Sequence, residues 1–414
     1  MKPNCNFLCR AASHNAWLLL PVVLGPAIAH AQFGGTATAS AGLEHNSNVF
    51  ALPSGESPAS PYAGSGQGDT LTTLGVELRP TYQLSQQKFL IGLNGNDFRY
   101  NHFTTLNHRE YGASAEWQWV AGGALDGDLL ASRTRDMVHF ADVRSSELFL
   151  QTTTNASGRA EWHLNRRWSI EARGSAFEND SPRPNAQSLV LKEHSYGSSI
   201  KFGNTVDTFF AIAGDRYDGT YTGAEALAGL SPNTTITYHR ETLHLVGDRS
   251  VSKDDVLHGE IGYTKTTIST GSNYPGAVTG NLRYRHQLTG KTSVEAGLRR
   301  EVVSYITTAG QEISTLGDVG ALWHATGKID VTVRVAAGKD TYPGWSSQPN
   351  GLPSPTPLPE RSDTSHQERL SLTYTPWIHV SVAPYVQWNS RSSSIDSYGY
   401  SQAIYGIVIK GLLP

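Results

Sequence analysis

Residues 281–303 read Asn281-Leu-Arg-Tyr-Arg-His-Gln-Leu-Thr-Gly-Lys-Thr-Ser-Val-Glu-Ala-Gly-Leu-Arg-Arg-Glu-Val-Val303. Leu282, Tyr284 and Leu288 alternate with Asn281, Arg283, Arg285 and Gln287, and beyond a polar triplet Val294, Ala296 and Leu298 alternate with Glu295, Arg299 and Glu301. A period of two is the mark of a strand. For both apolar sets to share one face, opposed residues must have equal parity, which requires an odd loop; Thr289-Gly290-Lys291 supplies three residues with Gly at the tip. That register predicts Leu282 opposite Leu298, Tyr284 opposite Ala296, and Arg285 opposite Glu295. The hairpin has one greasy face and one charged face. A soluble sandwich alternates in the same way, so the rest of the chain must decide which solvent each face meets.

The chain has 414 residues, 38% hydrophobic, with 41 Gly, 18 Tyr and 9 Trp but only 2 Met. No stretch past the N-terminus sustains a helical period, so the class is all-β. The first 31 residues have the form of a cleaved secretory signal peptide: Lys2 and Arg10, the apolar run Ala16 to Gly25, and Ala29-His30-Ala31 before Gln32. An anchor helix needs ~20 apolar residues, and Pro21 and Pro26 interrupt a shorter run. Cys5 and Cys9 both lie in this segment, so residues 32–414 hold no thiol, no disulfide and no thiolate metal site, and no lipid-bearing Cys follows the cut. Loss of Lys2 and Arg10, with no acid lost, takes the net charge from −3 to −5. That balance is too mild to argue for nucleic acid, and no nucleic-acid partner is expected.

From Gln32 to Pro414, one barrel domain is expected. Short turns alternate with long polar loops along this span. Turns are predicted at Leu84 to Gln86, Ala121 to Gly123, Asn165-Arg166, Gly203-Asn204, Val251 to Asp254, Thr289 to Lys291, Ala325 to Gly327 and Thr375 to Trp377. Long loops are predicted at 46–69, 101–107, 137–147, 179–190, 218–233, 270–274, 307–311, 341–364 and 392–397. Nine loops and eight turns on this sequence predict about eighteen strands, an even count with both ends on the short-turn side. Bacterial outer-membrane barrels have this plan: short periplasmic turns and long outer loops.

Two features favour a transmembrane antiparallel up-and-down barrel over a sandwich. The alternating segments run ten or more residues, about what a tilted membrane strand needs, whereas soluble strands average ~5 or 6. Trp117, Trp119, Trp162, Trp168, Trp323 and Trp377 all lie close to short turns, where an interfacial aromatic girdle is required. In Ala124 to Arg135, Arg133 and Arg135 share parity with Leu125 and Leu129, so either a bulge intervenes or the two arginines lie above the membrane.

An eighteen-stranded barrel is wide enough to hold water, so function is expected in its lining. Parity places Glu77, Arg79, Arg159, Glu171, Arg173 and Arg240 inward, and likewise Arg283, Arg285, Glu295, Arg299, Asp330 and Arg334. Arg outnumbers Lys 23 to 10. A guanidinium fork binds carboxylate or phosphate at two points and can lie flat on a sugar ring, which suits an anionic glycan. The other reading is that pairs such as Arg285 with Glu295 brace the wall. Fifteen His are spread without a spaced cluster, and no Gly-x-Ser-x-Gly nucleophile motif or metal-ligand spacing occurs; no enzyme activity, cofactor or metal is expected. Residues 341–364, carrying six prolines from Pro343 to Pro359 and Trp345, stay extended and either lid the mouth or form an external loop.

At Gly42-Leu-Glu-His-Asn-Ser-Asn-Val-Phe-Ala-Leu52, then Asp69-Thr70, Leu84-Ser-Gln-Gln87, Arg99-Tyr100 and Trp117-Gln-Trp119, the chain resembles the β-barrel porins encoded in exopolysaccharide operons, the EpsL-type proteins. Gln86 stands where that family usually has Arg, and the chain ends Ile407-Val-Ile-Lys-Gly-Leu-Leu-Pro414 where such barrels usually finish on an aromatic residue. The resemblance implies an outer-membrane protein that serves polysaccharide secretion, and it transfers no site residue. The expected function is therefore a channel exporting an exopolysaccharide across the bacterial outer membrane. Its partners would be outer-membrane lipid, the polysaccharide and a periplasmic export component. The alternatives are a general or sugar-selective diffusion porin and a plugged surface glycan-binding barrel.

Overall fold

The computed structural model describes residues 31–141, 145–183, 186–204, 208–223, 235–250, 252, 254–269, 276–305, 310–343 and 361–413. Eighteen strands follow in order: β1 (Ala31–Asn46), β2 (Asp69–Leu84), β3 (Gln87–Tyr100), β4 (His108–Ala121), β5 (Leu125–Met137), β6 (Leu150–His163), β7 (Trp168–Arg183), β8 (Ala186–Asn204), β9 (Thr208–Thr222), β10 (Thr235–Ser250), β11 (Asp255–Ile268), β12 (Ala277–Thr289), β13 (Thr292–Tyr305), β14 (Gly310–His324), β15 (Ile329–Tyr342), β16 (Arg361–Trp377), β17 (Val380–Ser393) and β18 (Tyr400–Leu413). Each pairs antiparallel with its neighbour, and β1 also pairs with β18, from Ala37 opposite Leu413 to Asn46 opposite Ile404, so the sheet closes. Closure removes both edges, which lets every strand satisfy its backbone hydrogen bonds without water. The expected signal segment lies outside the described residues except for Ala31, and so does the proline-rich stretch from residue 344 to 360.

The opening hairpin has the register its pattern dictates: Leu282 opposes Leu298, Tyr284 opposes Ala296, and Arg285 opposes Glu295. The turn itself is built differently. Thr289 pairs with Thr292 around Gly290-Lys291, and the register shifts between Gln287 and Thr289, so a bulge at Leu288 supplies the odd residue. Other predicted connections move: Gly203-Asn204, expected as a turn, is strand, with both residues paired, to Phe209 and Thr208. The turn expected at Thr375 to Trp377 is Ile378-His379, because β16 and β17 stay paired to Trp377 and Val380. The loop expected at 179–190 is largely strand, with pairing carried on to Arg183 and Ala186. Between Ala121 and Leu125, Gly122 and Gly123 take φ of +64° and +73°, the left-handed pair that a tight hairpin demands.

Apolar and polar residues are inverted relative to a soluble core. Val76, Phe210, Leu245 and Ile261 expose 56–64% of their surface, while Glu171 exposes 6% and Arg361 none. Covering one such apolar side chain is worth roughly 1.5–3 kcal/mol, and a continuous ring of them is satisfied by hydrocarbon. At the short-turn end the ring closes in aromatics: Phe89 stacks on Trp117 at 5.9 Å, Trp168 lies 4.8 Å from Phe202, and Trp162, Trp323 and Trp377 are exposed. β5 pairs with β4 and β6 without a bulge, so Arg133 and Arg135 point outward beyond the ring.

Candidate functional site: the barrel lumen

The face opposite the apolar ring is the concave one, as contacts over intervening strands show. Arg240 on β10 donates to the carbonyl oxygen of Val302 on β13 at 3.3 Å, and the Arg173 guanidinium on β7 comes within 3.2 Å of Nε2 of His244 on β10. Side chains from non-neighbouring strands converge only inside a barrel. By strand parity all twelve residues singled out from the sequence fall on this face, along with several that the charge pattern did not flag.

On β5 to β11 the inner wall is a continuous ion network. Lys201 sits between Glu161 and Glu171, 2.8 and 2.7 Å from their carboxylates, and Arg159 reaches Asp128 and Glu161. Arg173 joins Glu171 to Asp215, and His244 joins Asp215 to Glu260. Glu161 and Glu171 are buried, as is the hydroxyl of Ser169, which donates to Glu161. Buried carboxylates persist only where cations and hydroxyls surround them. Arg159, Glu171 and Arg173 are therefore tied into the wall, and Lys201, Asp215 and His244 complete a set that sequence reasoning reached only in part.

The other candidates make smaller pairs. Arg79 meets Glu77 at 2.5 Å, Arg299 meets Glu301 at 3.3 Å, Arg334 meets Asp318 at 3.6 Å, and Asp330 meets His324 at 2.6 Å. Arg240 lies 4.3 Å over the Tyr217 ring and 3.4 Å from Glu193. The expected bracing of Glu295 by its opposed Arg285 does not form. Arg283, one pleat along the same face, donates to that carboxylate at 2.6 Å. Among the described residues Arg285 has no hydrogen-bond or ion-pair partner.

Across β16, β17, β18 and β1 the inner wall changes character and becomes a ladder of amides. Gln367 and Gln387 donate to Asn389 at 3.1 and 2.9 Å, Asn389 donates to Gln402 at 2.9 Å, and Gln402 donates to Asn46 at 2.9 Å. Arg369 donates to Gln387 and lies 4.5 Å over the ring of Tyr385, whose hydroxyl donates to Glu44. Amides offer donors and acceptors together, and a partly exposed aromatic beside them gives sugar C–H faces a place to lie. Nothing charged marks these positions in the sequence, and the ladder joins residues over 350 positions apart.

Three outer loops fold together over one side of the mouth. Phe50 lies 4.8 Å from Phe103 and 4.9 Å from Phe140, bringing the β1–β2, β3–β4 and β5–β6 connections into one apolar cluster with Leu106. The Asp69 carboxylate accepts the backbone N–H of His102 and Phe103, and Asn48 donates to the carbonyl oxygens of Leu52 and Ser401. The β5–β6 loop crosses the mouth: the Ala141 carbonyl oxygen accepts a 2.5 Å bond from Arg391 on the inner face of β17. Behind Arg391, Arg361 and Asp363 form a buried pair, with Arg361 stacked 4.4 Å from Tyr342 and 3.7 Å from Tyr398. A second apolar cluster, including Phe177, Leu191, Tyr221 and Tyr238, lines the inside of the tall outer wall of β7 to β11. The opposite mouth holds a recess of about 500 Å3 lined by Gln83, Lys88, Gln118, Asp126, Asp128, Arg159 and His163.

A closed barrel of even strand number, with a lipid-facing ring, short turns at one end and long loops at the other, is a bacterial outer-membrane barrel. No protein-family model matches the chain, and no curated protein does. Among solved structures it is similar to a mutant ferric enterobactin receptor from Pseudomonas aeruginosa in complex with enterobactin, at 8% identity and a TM-score of 0.50 over 92% of this chain and 82% of that one. It also aligns with OpdL of Pseudomonas aeruginosa, at 11% identity and a TM-score of 0.42 over 92% of this chain and 98% of that one. At such identities a likeness speaks for the fold alone.

Proposed function

We propose that the barrel, after loss of residues 1–31, is a passive channel through which a secreted polysaccharide leaves the cell across the outer membrane. The observation that carries this reading is the amide ladder. Gln367, Gln387, Asn389, Gln402 and Asn46 run across four inner strands toward the outer mouth, with Tyr385 under Arg369 beside them. A moving glycan needs many weak, exchangeable hydrogen bonds rather than one tight pocket, and neutral amides provide these without the retention that bare charge would impose. The resemblance at Gly42 to Leu52 and Asp69-Thr70, which implies polysaccharide secretion, is what supports reading the traffic as export. Arg285, which Glu295 leaves free, would meet uronate or phosphate groups on the chain.

The second reading is a diffusion porin, favoured by the two-signed wall of β5 to β11, which would attract small charged solutes without selecting a polymer. Planar-bilayer recordings divide the two readings. An exporter conducts ions and is blocked in a concentration-dependent way by the organism's own purified exopolysaccharide, whereas a porin conducts and is not blocked. If deletion of the gene leaves secreted polymer unchanged while small-solute uptake falls, the export reading fails. A barrel that does not conduct at all is a plugged surface binder.

A further inference from the structure

On the outside of β3 to β5, just past the long-loop end of the apolar ring, four arginines stand together: Arg99, Arg109, Arg133 and Arg135. Strand parity fixes their direction. The same side of β3 carries Phe89, Ile91 and Leu93, that of β4 carries Tyr111, and that of β5 carries Leu129, all exposed. One acid lies among them. Asp97 accepts from Nε of Arg99 at 2.7 Å and from Nε of Arg109 at 3.1 Å, and the Arg109 side chain remains 77% exposed. Arg133 and Arg135 are exposed and make no hydrogen bond or ion pair among the described residues.

The neighbouring tall strands are different at this height. On β7 to β10 the outward bases Lys192, Arg216 and His239 are matched by Glu178, Asp218 and Glu241. Next to the arginines, β6 contributes Thr154 opposite Arg133 and Thr152 opposite Arg135; the first acids beyond, Glu178 and Asp180, are on β7. Arg300 on β13 and Lys339 on β15 also face outward without an acid, but they stand singly on strands separated by β14, and Arg300 is held by the Val278 carbonyl oxygen and the Thr315 hydroxyl; the four-arginine cluster is confined to β3 to β5.

We propose that this patch binds the phosphate groups of an anionic lipid of the outer leaflet. The arginines continue directly from the surface that acyl chains cover, at the level where headgroups begin, with the exposed ring of Tyr111 between them in the place an interfacial aromatic takes. Strands lie ~4.8 Å apart and alternate residues ~6.7 Å, so the guanidinium groups span enough surface for two phosphates, each gripped at two points. Asp97 holds Arg99 and Arg109 upright for that contact while leaving Arg109 open on its outer side.

The test uses the purified full barrel in nanodiscs of phosphatidylcholine doped with bisphosphorylated lipid A or with the same lipid dephosphorylated, and separately with inorganic phosphate added to undoped discs. Thermal unfolding and native mass spectrometry read the binding. Bisphosphorylated lipid raises the unfolding temperature and stays bound, whereas dephosphorylated lipid and inorganic phosphate do neither. The Arg133→Gln/Arg135→Gln double variant loses affinity by about tenfold, and Lys265→Gln, an exposed base opposite Glu241 on another part of the wall, does not. Equal binding by the double variant, or by the dephosphorylated lipid, overturns the proposal. Stabilisation by inorganic phosphate alone overturns it as a lipid site.

Discussion

Arg283, not the directly opposed Arg285, holds the carboxylate of Glu295, with Nη1 2.6 Å from Oε1. The two arginines are neighbours on one inner face, and the single acid between them divides their roles. Arg283→Gln removes a half-exposed ion pair and lowers unfolding stability by up to about 1 kcal/mol. Arg285→Gln leaves the unfolding temperature unchanged and weakens block by an anionic polymer. Thermal melts in detergent alongside polymer-block titrations check both; equal loss of block in the two variants would show that the acid does not divide them.

At the outer end, Asp363→Asn takes the anion from the fully buried Arg361 guanidinium. Breaking a buried pair from one side costs about 3–5 kcal/mol, so the variant unfolds at lower temperature and its β15–β18 end is cut sooner by added protease. Lys339→Gln, on the outer face of β15, serves as the neutral comparison.

Phe50→Ala removes the ring on which Phe103 and Phe140 converge. Emptying such a site costs about 3–5 kcal/mol, here drawn from loop packing rather than from the barrel. The three loops loosen over the mouth, single-channel conductance rises and the strand content measured by circular dichroism stays unchanged. Arg391→Gln, which frees the β5–β6 loop at Ala141, raises conductance in the same direction.

The Tyr238 ring lies across Gly219, its directly opposed residue on β9, and a Cβ at Gly219 would sit 2.2 Å from Tyr238 Cζ. Gly219→Val therefore pushes the ring out of the inner cluster and takes its hydroxyl from Glu193. Overpacking of this kind costs about 1–3 kcal/mol, and Gly219→Val/Tyr238→Ala regains part of it in a double-mutant melt.

Much of this fold could be read directly from the chain, because a membrane barrel writes its two solvents into alternate residues. Eighteen strands, the pairing of Leu282 with Leu298 and the inward arginines all follow from parity. The 179–190 segment was misread because polarity signals a loop only where strands end at the membrane; β7 and β8 rise into water, where Ser181 pairs with Leu189 as readily as apolar residues do lower down. The turn predicted at Thr375 to Trp377 falls instead at Ile378-His379, because the strand accommodates Pro376 at an irregularity between Tyr374 and Trp377. Parity also fails to reveal the amide ladder, whose groups are neutral and whose last rung joins Gln402 to Asn46, and the Arg391 bond to Ala141, whose partner is a backbone carbonyl 250 positions away. The motif residues Asn48, Phe50 and Asp69 now have a physical role: they knit the loops over the mouth.

The central claim is that charged faces enclose water and apolar faces meet lipid. Residues 32–414 contain no cysteine, so single substitutions report without background. In Val333→Cys and Arg334→Cys barrels in lipid vesicles, a small membrane-impermeant maleimide added from outside is predicted to label position 334 and leave 333 untouched. Labelling at 333 with protection at 334 would contradict the account.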